Sequence, residues 1–189
     1  MTILAKIGPN ATDMIRADHA RVLTAFHRYK VDSAAATKRA LVATICLAIE
    51  VHAEIEEEIF YPAMASVDTA LVGRLIPEHD RMRTLIGQLR SGDAADPQYD
   101  QWLMELMRDV MHHVADEETI LLPQAERVLG ERLGELGARM MKRRLQLMAP
   151  HAGEITRHTA RAMPASNWML AAGGLIAGVL LLRHVRRAM

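Results

Sequence analysis

Apolar residues recur along this chain at intervals of three and four, the spacing that lines one face of an α-helix, over five successive stretches. The first predicted helix runs from about Thr12 to Val31 and carries Ile15, His19, Val22, Phe26 and Tyr29 on its stripe. The second, from about Thr37 to Tyr61, carries Ile45, Ile49, His52, Glu56 and Ile59; Pro62 then limits or kinks it, because proline lacks the N–H that continues the ladder. The third ends near Arg90, before Ser91-Gly92-Asp93, with Leu75, His79, Met82, Ile86 and Leu89 in register. Gly73 and Pro77 leave its start open. The fourth begins near Pro97 and aligns Leu103, Leu106, Val110, His113, Glu117 and Leu121 before Pro123 interrupts it. After Gly130 a fifth helix extends to about Leu147 with Leu133, Leu136, Met140 and Met141, and turns basic at Lys142, Arg143 and Arg144, as suits a helix C-terminus.

Stripes of this kind joined by short connections predict an all-α fold, an antiparallel up-down four-helix bundle with a fifth helix. The oddity is that each of the first four apolar stripes contains ionisable residues.

Those residues repeat. His52-Ala-Glu-Ile-Glu56-Glu57-Glu58-Ile59-Phe60-Tyr61-Pro62 matches His113-Val-Ala-Asp-Glu117-Glu118-Thr119-Ile120-Leu121-Leu122-Pro123, and both read H-x3-E-E-x-I-x-x-P. Upstream, Asp18-His19-Ala-Arg21 lies thirty-three residues before His52, and Glu78-His79-Asp-Arg81 thirty-four before His113. Each half is thus a helical hairpin with one acid-His-x-Arg and one HxxxEE. Packed about an approximate twofold axis, the two halves bring the duplicated residues to the centre.

A His and a Glu four apart stand one above the other on a helix, so one helix delivers a nitrogen and an oxygen ligand to a metal pair. His52 with Glu56 and His113 with Glu117 supply two of each, and His19 and His79 bring the imidazoles to four. With both glutamates bridging, each metal receives two nitrogens and two oxygens; an oxo, hydroxo or water bridge makes five, and octahedral coordination leaves about one open position per metal. The mixture of imidazole and carboxylate suits iron or manganese better than a thiolate-loving metal. A single His on an apolar stripe is more often a satisfied core residue. Six coincident positions on four helices are another matter, because without a metal such a set buries carboxylates and imidazoles at a cost of several kcal/mol.

His27, His112, Glu57, Glu58, Glu78 and Glu118 are weaker candidates, read as helix-face residues or as supports behind the ligands; Glu118 is the best substitute should Glu117 not bridge. Asp18 and Glu78 adjoin their histidines but point elsewhere on the helix and receive no role. Met82, Met104, Met107 and Met111 are read as plain core filler.

A lone His, then HxxxE, then a His-bearing helix, then a second HxxxE resembles the hemerythrin-like HHE cation-binding family over about residues 11–130. The resemblance implies a hemerythrin-like bundle around a non-haem diiron centre, oxo- or hydroxo-bridged, that binds or reacts with dioxygen, peroxide or nitric oxide. Detoxification of peroxide or nitric oxide is one use the resemblance implies; sensing or storing oxygen, nitric oxide or iron without turnover is the alternative. Oxygen-carrying hemerythrins have HxxxH on the third helix, whereas the residue four after His79 is Arg83, which speaks against reversible oxygen carriage.

The remainder of the chain adds a second theme. Trp168 to Leu182 are fifteen uncharged residues, eighteen when counted from Ala165, which is within the lower range for a membrane-spanning helix. Gly174 and Gly178 form a GxxxG, which permits close helix approach and so a homodimer. The expected organisation is a metal-binding bundle over 1–130, the added amphipathic helix at 131–149, a linker at 150–166 and a C-terminal membrane anchor at 167–189. Arginines flank the apolar run on both sides, so charge does not orient it. The absence of a secretory pattern in MTILAKIGPN and the single Cys46 favour a bundle on the cytoplasmic side of a membrane. Twenty-three basic residues balance twenty-three acidic ones, so no net positive field gathers nucleic acid.

Overall fold

A computed structural model describes residues 8–65 and 67–151. Among these residues there are helices and connections and no strand. α1 (Ala11–His27) starts where Asn10 accepts the backbone N–H of Asp13. α2 comprises Ala35–Ile55, a π-helical turn at Glu56–Phe60 and a last α-turn at Tyr61–Met64. α3 (Thr69–Ser91) is capped by Asp68, which accepts the N–H of Leu71, and continues through Pro77. α4 comprises Pro97–Asp116, capped by Asp96, a second π-turn at Glu117–Leu121, and Leu122–Leu129. Gly130 ends it with a φ of 43°, a left-handed value that favours glycine. α5 (Arg132–Met148) is followed by a single 3-10 turn at Ala149–His151.

The sequence places breaks at Pro62 and Pro123, but both helices pass through them. Each proline follows a π-turn whose closing bond runs five residues back, from the Tyr61 N–H to the Glu56 carbonyl and from the Leu122 N–H to the Glu117 carbonyl. The missing proline N–H therefore falls where the register is already changing from π to α. Such widened turns are rare overall and frequent at functional sites. Here both begin on the Glu of an HxxxE.

α1 packs on α2, α2 on α3, α3 on α4 and α4 on α1, which closes the four-helix bundle. α5 lies along the outside of α1 and α2, and so belongs to the body of the protein. It approaches closely at Gly137, where an added Cβ would collide with the carbonyl oxygen of Pro9.

Two apolar clusters fill the interior. One gathers Ile15, Ile55, Phe60, Tyr61, Leu75, Leu121 and Leu122 together with Leu133, Leu136 and Met140 of α5. The other gathers Val22, Phe26, Ile45, Ile49, Met82, Ile86, Leu103, Leu106 and Val110. The break between them falls, on every helix, at the ionisable residues: His19 between Ile15 and Val22, His52 between Ile49 and Ile55, His79 between Leu75 and Met82, His113 between Val110 and Leu121. Met104 and Met111 are exposed on the outer face of α4 and are not core filler, because they stand off the stripe of Leu103, Leu106 and Val110.

Among the described residues no helix is long and apolar enough to cross a membrane. The expected linker and anchor, apart from positions 150–151, lie outside the described residues.

Candidate metal centre

The six residues singled out in the sequence meet in the layer between the two clusters, and all are buried: Glu56 and Glu117 fully, with 1% of His79, 2% of His113, 3% of His19 and 7% of His52 exposed. Each comes from a helix whose apolar face turns inward, so packing that hides the leucines carries the polar side chains with it. Donor atoms of His19, His52, Glu56 and Glu117 form one compact group, and those of Glu56, His79 and His113 a second that shares Glu56. The imidazoles face the carboxylates through Nε2: His19 is 3.1 Å from Glu117, His52 3.2 Å from Glu56, and His79 and His113 each 3.6 Å from Glu56 and Glu117 respectively.

The outward nitrogens have acids behind them. Nδ1 of His19 donates to Glu118 at 2.9 Å, Nδ1 of His79 to Glu57 at 2.8 Å, and Nδ1 of His113 to Glu78 at 2.9 Å. Asp18 takes the corresponding place behind His52, at 3.7 Å. The second Glu of each HxxxEE thus supports the lone histidine of the other half, while the acid beside each lone histidine faces the HxxxE histidine of its own half. An acid at Nδ1 keeps the proton there and leaves the Nε2 lone pair for a metal.

From the sequence pattern Asp18 and Glu78 receive no role, because their positions around the helix point away from the stripe. The neighbouring helix, which comes round to meet them, is invisible in a single-helix pattern. Arg83 also acquires a place: its guanidinium donates to Glu57 at 2.8 Å, on the same oxygen that His79 uses. Tyr61, which the sequence pattern marks only as the end of the second helix, donates its hydroxyl to Glu117 at 2.7 Å and stacks on the His79 ring. Its counterpart in the second half is Leu122, so the repeat held no signal for it. His27 and His112 are exposed and stand apart from the cluster.

Without a cation this arrangement is poorly satisfied. His19 Nε2, His52 Nε2, Glu56 Oε1 and Glu117 Oε2 are buried without a hydrogen-bond partner. Nε2 of His79 and Nε2 of His113 stand 3.0 Å apart while both rings commit Nδ1 protons to carboxylates, so two lone pairs confront each other. Burial, reinforced by the neighbouring Glu117 charge, pushes the Glu56 carboxyl well above the usual range. Burial also opposes the charge of Glu117, yet His113, His19 and His52 outweigh it and bring that carboxyl down to about 2. His79 is pushed down to about 2 by burial and by the adjoining His113 and His52. His52 is lowered chiefly by burial. Burial opposes protonation of His19 too, but Glu117 and Glu118 hold its pKa above the ordinary value. The pocket therefore favours neutral imidazoles at His52 and His79, whereas the Glu56 carboxyl and the His19 ring hold protons they must shed to ligate, the usual coupling between metal uptake and proton release. Buried, unpartnered nitrogens and oxygens in this ratio fit hard or borderline divalent metals such as iron.

A cavity of about 20 Å³ adjoins the imidazole face, lined by the four histidines and Asp18 with Val22, Ile49, Met82, Val110 and Val114. The carboxylates and Tyr61 lie on the other side of the layer. That space is of the order of one water molecule.

Comparison with known proteins agrees with this geometry. Residues 10–125 match the model of the hemerythrin HHE cation-binding domain family. A crystal structure of a hemerythrin HHE cation-binding domain-containing protein from Mycobacterium kansasii superposes with a TM-score of 0.67 at 21% identity, covering 78% of this chain and 93% of that one, and shows the shared fold. A DNA nickase of Nostoc sp. is 29% identical over 116 residues, 59% of this chain but 32% of that protein, so the chain spans about a third of its relative's length. The chain belongs to the hemerythrin HHE cation-binding family.

Proposed function

We propose that the chain is a non-haem diiron protein that binds or reacts with a small ligand such as dioxygen, peroxide or nitric oxide. The observation that carries this reading is the set of four Nε2 atoms and two carboxylates converging in a buried layer, beside a small cavity with room of the order of one water molecule. His19, His52, Glu56, His79, His113 and Glu117 would hold the metals, with Glu56 and Glu117 shared between them. Bound iron would supply open coordination positions and redox chemistry.

The protein's own contribution is positional. Glu118, Glu57 and Glu78 fix three imidazoles in the ligating tautomer. Tyr61 holds Glu117 on the side away from the cavity. The Val22, Ile49, Met82 and Val110 side chains leave room for a small apolar or weakly polar ligand and exclude a large one. Arg83, where a fifth imidazole would stand in an oxygen carrier, is bound to Glu57 and offers no ligand atom. That supports reaction or sensing over reversible oxygen carriage.

On this reading the apolar run Trp168 to Leu182 tethers the bundle to the cytoplasmic face of a membrane, and its GxxxG allows two copies to associate. The test is to load the purified full-length chain with iron and record its visible spectrum with and without azide and peroxide. A charge-transfer band that shifts with azide and recovers on its removal, together with peroxide consumption, supports the reactive reading. A reversible shift without consumption selects the sensor or storage alternative. A spectrum blind to both ligands rejects the proposal.

A further inference from the structure

The duplication is imperfect at one position that bears on the metals. Glu78 of the second half reaches Nδ1 of His113 at 2.9 Å. Asp18, its counterpart, is one methylene shorter, and its Oδ2 lies 3.7 Å from Nδ1 of His52, beyond hydrogen-bond distance. Nδ1 of His52 is accordingly buried with no hydrogen-bond partner. Asp18 is also held from elsewhere. Arg21 bonds its Oδ1 at 3.0 Å, and Arg144 of α5 bonds Oδ2, the oxygen nearer His52. An arginine on the acid does not by itself break such a contact, since Glu57 accepts from Arg83 and from His79 at 2.8 Å each. The difference is reach: a short acid, anchored by α5, stops short of its imidazole.

We infer that the two metal positions are unequal, the one served by His19 and His52 being the weaker and more readily exchanged, because Asp18, short and held by Arg144, leaves the His52 imidazole unsupported. The inference rests on the reading of the cluster as a two-metal centre. Ligand number does not offset it. The first group differs from the second by Glu117, whose Oε2 is already 3.6 Å from His113 Nε2, so both carboxylates are within a small motion of either position. Support behind a ligating histidine, by contrast, is worth about 10- to 100-fold in metal affinity. The device also makes α5 part of the metal centre: the helix outside the bundle sets, through Arg144 and Asp18, how firmly one metal is held.

Cobalt(II) titration of the metal-free full-length chain, followed by its visible bands and by calorimetry, tests this. The expected wild-type result is two steps separated by about 10-fold or more. Asp18→Glu lets the carboxylate reach His52 and should raise the weaker step toward the stronger. Glu78→Asp, at a half-exposed position where folding is not at stake, should lower the stronger step by a similar factor. Arg144→Met should raise the weaker step less than Asp18→Glu does. Arg143→Met removes a neighbouring α5 contact, to Glu58, that does not touch the site, and should leave both steps in place. Two equal steps in the wild type, or steps unmoved by both Asp18→Glu and Glu78→Asp, overturn the inference and leave the diiron reading standing. Equal effects of Arg143→Met and Arg144→Met overturn the role of Arg144, reducing it to helix docking. A wild-type chain that takes up no cobalt overturns both the inference and the diiron reading.

Discussion

The two sides of the buried polar layer are built to opposite ends. On the carboxylate side, Glu56 and Glu117 sit against Tyr61, Phe60, Leu121 and Leu122, and α5 adds a further layer over that core. Two π-turns begin there, one on each glutamate. On the imidazole side the apolar cluster stands back, and a cavity remains beneath Val22, Ile49, Met82 and Val110. One side fixes ligands; the other leaves room. A site that only stored buried charge would need no such space, and one open on both sides would not hold two carboxylates away from water. On the proposed function, the contrast would make the imidazole side the entry for a ligand and the carboxylate side the anchor for metal.

The contrast can be broken most severely from the anchored side. Glu56→Ala or Glu117→Ala removes a shared ligand, and metal content per chain is expected to fall from about two to one or none. The loss exceeds the 10- to 100-fold that removal of an outer support costs. In Glu117→Ala the Tyr61 hydroxyl also loses its best acceptor, a further cost of about 1–3 kcal/mol in the metal-free protein that urea unfolding would report. Elemental analysis showing both variants still fully loaded would remove these glutamates from the site.

The next effect comes from the open side. Val110→Phe pushes a ring toward the cavity, with overpacking of about 1–3 kcal/mol. Metal content should persist while the spectral response to azide or peroxide is lost. Should the response survive with metal in place, ligands enter elsewhere.

Acid should weaken the anchored side in a defined direction. Glu56 has a raised pKa and ligates only as the carboxylate, and His19, also raised, ligates only when neutral. Both must release protons, so metal affinity is present at higher pH and is lost as pH falls toward and through these raised values. Affinity that rises on acidification would contradict the assignment of both residues.

Tyr61→Phe is a subtler change on the same side, removing one hydroxyl and leaving Glu117 Oε1 without its donor. Stability of the metal-free chain should drop by about 1–3 kcal/mol, and less in the loaded protein, where metal would take over that carboxylate. The smallest expected effect lies at the far end of the imidazole-side cluster, where Lys38 bonds both oxygens of Asp100 and Tyr29 donates to it. Burial opposes the Asp100 charge, but those partners hold its pKa below the usual value. Its contribution to stability is therefore present above the unfolded-state pKa and lost as pH falls through the folded one. Lys38→Met should flatten that part of the stability-pH curve without altering metal content.

The stripes made the helices legible in the sequence, and the repeat made the six central residues legible, because a His or Glu on a leucine stripe contradicts its surroundings and a second copy rules out accident. What stayed hidden depends on how neighbouring helices meet. Asp18 and Glu78 look outward on their own helices; Glu78 reaches His113, and Asp18 comes within 3.7 Å of His52, only because α4 and α2 come round beside them. Tyr61 is indistinguishable from a core aromatic until a carboxylate is placed opposite its hydroxyl. The prolines misled for a related reason: a helix can absorb Pro62 or Pro123 when a π-turn precedes it, and the hydrophobic pattern does not reveal that turn.

The most direct test of a two-metal centre anchored on one side and open on the other is the iron stoichiometry of the full-length chain purified from iron-replete cells, read together with its Mössbauer spectrum. About two irons per chain in a magnetically coupled pair is the expected result. One iron, or none after iron loading, would contradict it and leave a bundle whose buried histidines and glutamates need another explanation.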